Sequence, residues 1–181
     1  MRAARLALLI SVSLMLAGCT AWATYPPVEG TFELNKPTLE PIPTLMAEAI
    51  RFAREHYASD HALVVNLPPD TPAEVYDKVL EVLGDGRPMT AEGEPAFHVQ
   101  TVRVRALNAE VDVIYPRQSD MHELVTIRFK KKVWGQYEVD NTRLWRFEVE
   151  PPGPLYVPPP EPEAADDIEQ DVADEAEPDE T

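Results

Sequence analysis

Nucleophiles are scarce in this chain. Beyond residue 20 the only serines are Ser59 and Ser119, and neither lies between glycines in the strained turn that exposes a nucleophile. Ser59-Asp60-His61 holds the residue types of a hydrolytic triad. Adjacent side chains diverge, however, and cannot line up as a proton relay, so the segment reads as a helix-ending turn. Gly84-Asp85-Gly86 lacks a third glycine and follows a helical pattern instead of a strand, which makes it a loop and not a phosphate cradle. His56, His61, His98 and His122 share no short metal-ligand spacing. His122-Glu123 lacks the second histidine, four positions on, that the zinc-protease pattern needs.

Three further groups invite a functional reading. Glu110 and Asp112 project from one strand face, but Arg103 and Arg105 on the neighbouring pattern would hold both carboxylates ionised, which suits a charge ladder better than a glycosidase pair. Lys130, Lys131 and Lys132, close to Arg128, offer a basic contact for anionic headgroups or for the chain's own acidic end. Among the aromatic residues, alternation places Trp145 and Phe147 together on one face as core, whereas Trp134 beside Gly135 is the better candidate for an exposed contact. No catalytic residue, no metal and no cofactor is expected from these patterns.

The composition narrows the setting. The chain has 181 residues, with 16 Lys plus Arg against 32 Asp plus Glu, a net charge of −16 that argues against a nucleic-acid partner, whose phosphates need a basic footprint. Its length allows one core, not two. A total of 19 prolines against 7 glycines is far from the usual balance and implies that part of the chain lies outside that core. One cysteine rules out a disulfide framework.

Arg2 and Arg5 open the chain, an apolar stretch runs from Leu6 to Leu16, and the sequence then reads Leu16-Ala17-Gly18-Cys19. The stretch is shorter than the roughly 20 residues of a spanning helix and has the plan of an export signal. Over these first 19 residues the chain resembles bacterial lipoproteins, with Leu16, Ala17 and Gly18 in the place of their lipobox. The resemblance implies that the Cys19 thiol receives a diacylglyceryl group, that cleavage falls before Cys19, and that the new amine is acylated, with palmitate or a similar chain. Several acyl chains hold firmly where one is marginal. Thr20, which is not Asp, would favour the periplasmic side of the outer membrane if the cell is Gram-negative.

The rest divides by composition. Residues 1–18 form the signal peptide, 19–42 a proline-rich spacer, 43–150 an α+β domain, and 151–181 a disordered tail with eight prolines, eleven acidic residues and no Lys or Arg. Within the domain, Met46, Ala49, Ile50, Ala53 and Tyr57 recur at helical spacing, and Ala62 to Val65 reads as a short buried strand. Thr71-Pro72-Ala73-Glu74 looks like a Thr cap with proline at the first helical position, followed by a Val75, Val79, Val82, Leu83 stripe up to Gly84.

After residue 95 the period falls to two. With Leu107-Asn108 as a two-residue turn, Arg105 faces Glu110, Arg103 faces Asp112 and Val104 faces Val111. Strands around Val125 to Phe129 and Trp145 to Val149 complete a four-strand antiparallel meander, packed by two helices and joined by one short strand. The sequence thus predicts a lipid-anchored cell-envelope protein with a small non-enzymatic binding or structural domain. Its expected partners are the membrane, through the anchor, and an envelope protein. The alternative is an envelope domain that binds, or also hydrolyses, a small molecule or sugar.

Overall fold

The computed structural model describes residues 21–117, 121–133 and 135–159. Ten elements follow one another: β1 (Ala23–Tyr25), β2 (Phe32–Glu33), α1 (Ile42–Tyr57), β3 (Val64–Asn66), α2 (Ala73–Leu83), β4 (Arg87–Pro88), β5 (Phe97–Arg105), β6 (Asn108–Pro116), β7 (His122–Lys131) and β8 (Tyr137–Glu148). All eight strands belong to one sheet, whose main path runs β2-β1-β5-β6-β7-β8. The α+β class and the two helices are as the sequence predicts. The β5 to β8 meander and the one short buried strand, β3, are present too, and three further short strands, β1, β2 and β4, extend the sheet.

Both helices cover one face. Val102 of β5, Ala109, Val111 and Val113 of β6, and Val125, Ile127 and Phe129 of β7 share a single buried cluster with Leu45, Met46, Ile50 and Ala53 of α1 and Val75, Tyr76 and Val79 of α2. Strand alternation sends the intervening side chains to the opposite face, which neither described helix covers. No helix among the described residues is long and apolar enough to cross a membrane.

Local chemistry moves several boundaries. The first helix begins at Ile42, one residue before Pro43, because proline in a first helical turn removes only a donor that would have no partner anyway. The second begins at Ala73, and Thr71 does not cap it. The Thr71 hydroxyl turns inward instead, donating to the Pro68 carbonyl at 2.6 Å and lying 2.8 Å from the Tyr25 phenol. Gly84, in the left-handed region at φ 80°, ends α2 as its position implies.

The β5–β6 hairpin turns at Ala106-Leu107, one position earlier than Leu107-Asn108. Ala106 takes φ 52°, and the partners become Arg105↔Asn108, Val104↔Ala109, Arg103↔Glu110 and Val102↔Val111. The shift keeps every side chain on its predicted face, since cross-strand partners move by two residues and not by one. Arg103 still reaches Asp112, diagonally. The Arg105 to Glu110 pair does not form.

Two expected tethers take part in the fold. Within the 19–42 spacer, Ala23–Tyr25 pairs antiparallel with β5 at Val104, Arg103 and Val102, and Tyr25 is buried. An apolar tyrosine ring and three ladder positions outweigh the proline content around them. At the other end, the boundary at Glu150 moves outward. The Gly153 carbonyl accepts from Asn66 Nδ2 at 2.8 Å, the Leu155 N–H donates to Asn66 Oδ1 at 3.1 Å, and the Tyr156 ring packs edge-on against Tyr76 with centroids 4.9 Å apart. Residues 151–156 are a strap on the domain, while 160–181, the acidic part of the expected tail, lie outside the described residues.

A chain ending at Glu150 should therefore lose roughly 2–4 kcal/mol, from two bonds to a buried amide and the apolar area of Tyr156. A chain ending at Pro159 should melt as the full chain does. Calorimetry on the two truncations checks this.

Candidate functional site

The helix-free face of the sheet carries a continuous polar network across four strands. Arg103 on β5 donates Nη1 and Nη2 to the two oxygens of Asp112 on β6, at 2.6 and 2.9 Å, and Nε to Glu110 at 3.3 Å. From β7, Thr126 donates to Asp112 at 2.6 Å and Arg128 pairs with Glu110 at 3.1 Å. Trp145 on β8 closes the series by donating its indole N–H to Thr126 at 3.0 Å. Burial alone would lower the Arg103 pKa, but the hydrogen bonds and charge of Asp112 and Glu110 outweigh it and raise the value. This is the charge ladder expected from the sequence, with one arginine serving both carboxylates.

The network fixes an aromatic platform at its outer end. The Arg143 guanidinium stacks 3.8 Å from the Trp145 ring centroid, and Phe147 meets Trp145 edge-on at 6.2 Å with 53% of its surface exposed. Trp145 and Phe147 do share a face, as alternation predicts, but it is the uncovered one, so they are not core. The helices pack over the opposite side, and that is the reason. Strand β8 is also the outer strand of the sheet, 12 residues long, and Arg143 and Arg146 find no carboxylate partner among the described residues.

A second concavity lies on the helix side. His56 and Tyr57 at the end of α1, Tyr115 and Arg117 at the end of β6, Glu123 on β7, and Leu144 and Arg146 on β8 line a cleft of about 570 Å³. The rings of Tyr57 and Tyr115 stack at 5.1 Å. The Tyr115 phenol donates to one oxygen of Glu123 at 2.8 Å and Arg117 pairs with the other. Burial, with the Glu123 hydrogen bond and charge, pushes the Tyr115 pKa up. With both oxygens engaged, Glu123 is placed to hold the cleft's shape, not to move a proton.

Sequence reasoning missed a buried amide. Asn66 is fully buried and uses its whole bonding capacity: Nδ2 donates to Gly153 and to His98 Nδ1 (3.1 Å), and Oδ1 accepts from Leu155 and from the Tyr76 hydroxyl (3.4 Å). A donor facing Nδ1 leaves the proton of neutral His98 on Nε2. Burial, and then the nearby His122 ring 5.8 Å away, lowers the His98 pKa to about 4. Among the described residues no three His, Cys, Asp or Glu side chains converge as a metal site would require. Asn66 gives no periodic signal, so only its neighbours in space reveal it.

The other predicted residues fall as follows. Leu16, Ala17, Gly18 and Cys19 lie outside the described residues, and so does Trp134. Lys130, Lys131 and Lys132 end β7 as exposed side chains; Lys132 bonds Glu138 at 2.7 Å and Lys131 lies 5.6 Å from the Tyr137 ring centroid. Glu110 and Asp112 are engaged by Arg103, as above. No protein-family model, no curated protein and no solved structure matches the chain.

His98 makes stability depend on pH with a definite sign. Its folded pKa lies below the unfolded value near 6.5, so its share is intact above about pH 6.5. That share is lost as pH falls toward 4, by at most roughly 3 kcal/mol. Urea midpoints between pH 7 and 5 should fall for the native chain and flatten for His98→Gln, whose amide oxygen can still accept from Asn66.

Proposed function

We infer that this chain is a lipid-anchored cell-envelope protein whose α+β domain binds a partner protein, without catalysis, through the uncovered sheet face and its outer strand. The anchor rests on the lipoprotein resemblance of residues 1–19. The binding role rests on the Arg143, Trp145 and Phe147 platform. Aromatic and arginine side chains dominate binding energy at protein interfaces because each buries a large area and loses little freedom. Here the Thr126 hydrogen bond fixes the indole before any partner arrives, which lowers the ordering cost of association.

One observation favours a second reading. The stacked Tyr57 and Tyr115 rings, with Arg117 and Arg146 at the cleft wall, fit the stacking and charge pairing that a small anionic or sugar-like ligand would use.

Two experiments divide these readings. Growth with labelled fatty acid should label the chain, and Cys19→Ser should abolish the label and stall processing; label retained on the variant removes the anchor. A photo-crosslinking residue placed at Phe147 should capture an envelope protein in living cells. Capture from position 144, on the cleft wall, with none from 147, would move the binding site to the cleft.

A further inference from the structure

The end of the sheet at which the described chain begins combines exposed apolar side chains with cations. Ala23 is already paired, with Val104 on one side and Phe32 on the other. It stands four positions after Cys19, a distance that an extended chain spans in at most about 14 Å. The turn at Ala106-Leu107 closes the same end, and the Lys131 N–H donates to the Leu107 carbonyl at 2.7 Å, which brings the end of β7 alongside.

Along this rim three large apolar side chains stand in solvent: Phe32 at 66%, Leu107 at 45% and Val133 at 75% exposure. Half-buried Trp22 lies at the same end, with the Arg105 guanidinium 4.9 Å from its ring centroid. The cations of the rim are Arg105, Lys130, Lys131 and Lys132. Its carboxylates are Glu33, Glu138 and Asp140, with Lys132 alone of the four cations bonded to one of them; Glu110, which lines the same hollow as Trp22 and Arg105, is already paired with Arg103 and Arg128. Arg105, Lys130 and Lys131 have no carboxylate partner among the described residues, in a chain whose net charge is −16.

We propose that this rim is a membrane seat, which rests the sheet end-on against the anionic phospholipid headgroups of the bilayer that holds Cys19. The proposal deepens the lipoprotein reading and rests on it for the position of Cys19. Apolar tips ringed by Lys and Arg are the side chains that lie at a headgroup boundary, where the cations are drawn to an anionic leaflet. With so short a lead from Cys19, the rim is the first part of the fold to reach the surface. Seated this way, strands stand along the membrane normal. The helix layer, the Arg143 and Trp145 platform and the outer strand β8 all stay free at the sides.

The sole cysteine gives a test that does not depend on natural lipidation. The mature chain from Cys19 onward is coupled through that thiol to a maleimide phospholipid, in vesicles of phosphatidylcholine alone or mixed with phosphatidylglycerol. Acetylation rates of individual lysines are then read by mass spectrometry. Lys130 and Lys131 should react at least fivefold more slowly on the anionic vesicles, with the difference erased by high salt. Lys78, bonded to Glu74 on α2, should react alike on both. In an Arg105→Glu, Lys130→Glu variant the remaining Lys131 should lose its protection. Equal rates on both vesicles, or equal slowing of Lys78, would overturn the seat. Fatty-acid labelling of the native chain decides the anchor separately: label without rim protection sinks the seat alone, and rim protection without label sinks the anchor alone.

Discussion

A buried primary amide must find four partners or lose a large part of the stability its burial brings, and Asn66 finds all four in three separate parts of the chain. It sits on a strand of only three residues, which could not hold its place by ladder bonds alone. Tyr76 fixes the first turn of α2 to it, His98 fixes β5, and Gly153 with Leu155 fixes the strap. One end of the sheet is therefore organised around a polar group instead of an apolar one. His98 is kept neutral there, since a proton on Nδ1 would face the Asn66 donor.

The two sheet faces solve different problems. Against the helices, valines, Ile127 and Phe129 bury area without directional demands. On the other side neither described helix covers the strands, and cross-strand charge pairs take over. Arg103 is central because its planar fork meets both oxygens of Asp112 while its Nε remains for Glu110, a geometry that a lysine could not reproduce. Thr126 then carries the order outward to Trp145, so a half-buried indole on the uncovered face is held in place.

What the sequence made legible follows from periodicity. Both helices, the short buried strand and the β5 to β8 meander announce themselves by spacing, and the covered face follows from it on β5, β6 and β7 but not on β8. That question is settled by where α1 and α2 land, and no single strand records it, so Trp145 and Phe147 read as core. Composition misled at both flanks. Prolines suggested tethers, yet Tyr25 and Tyr156 supply burial that a count of residue types averages away. The hairpin register missed by one turn position, since Ala106 accepts a left-handed backbone without being glycine or asparagine. Asn66 was invisible because its four partners are local to nothing but itself.

The strap also constrains when the domain can form. Asn66 and Leu155 are separated by 89 positions, and β1 is closed by a strand about 80 residues further along. Contacts of such long range slow folding, because most of the loop entropy is lost before they form. A ribosome releasing this chain from its N-terminus would leave the β5 side of β1 unpaired until β5 emerges, with only the short β2 on its other side, and Asn66 incomplete until nearly the whole described chain is out. A late step, not an early one, completes the described interior, and until then the short strands β1 and β3 are edges open to the wrong partner.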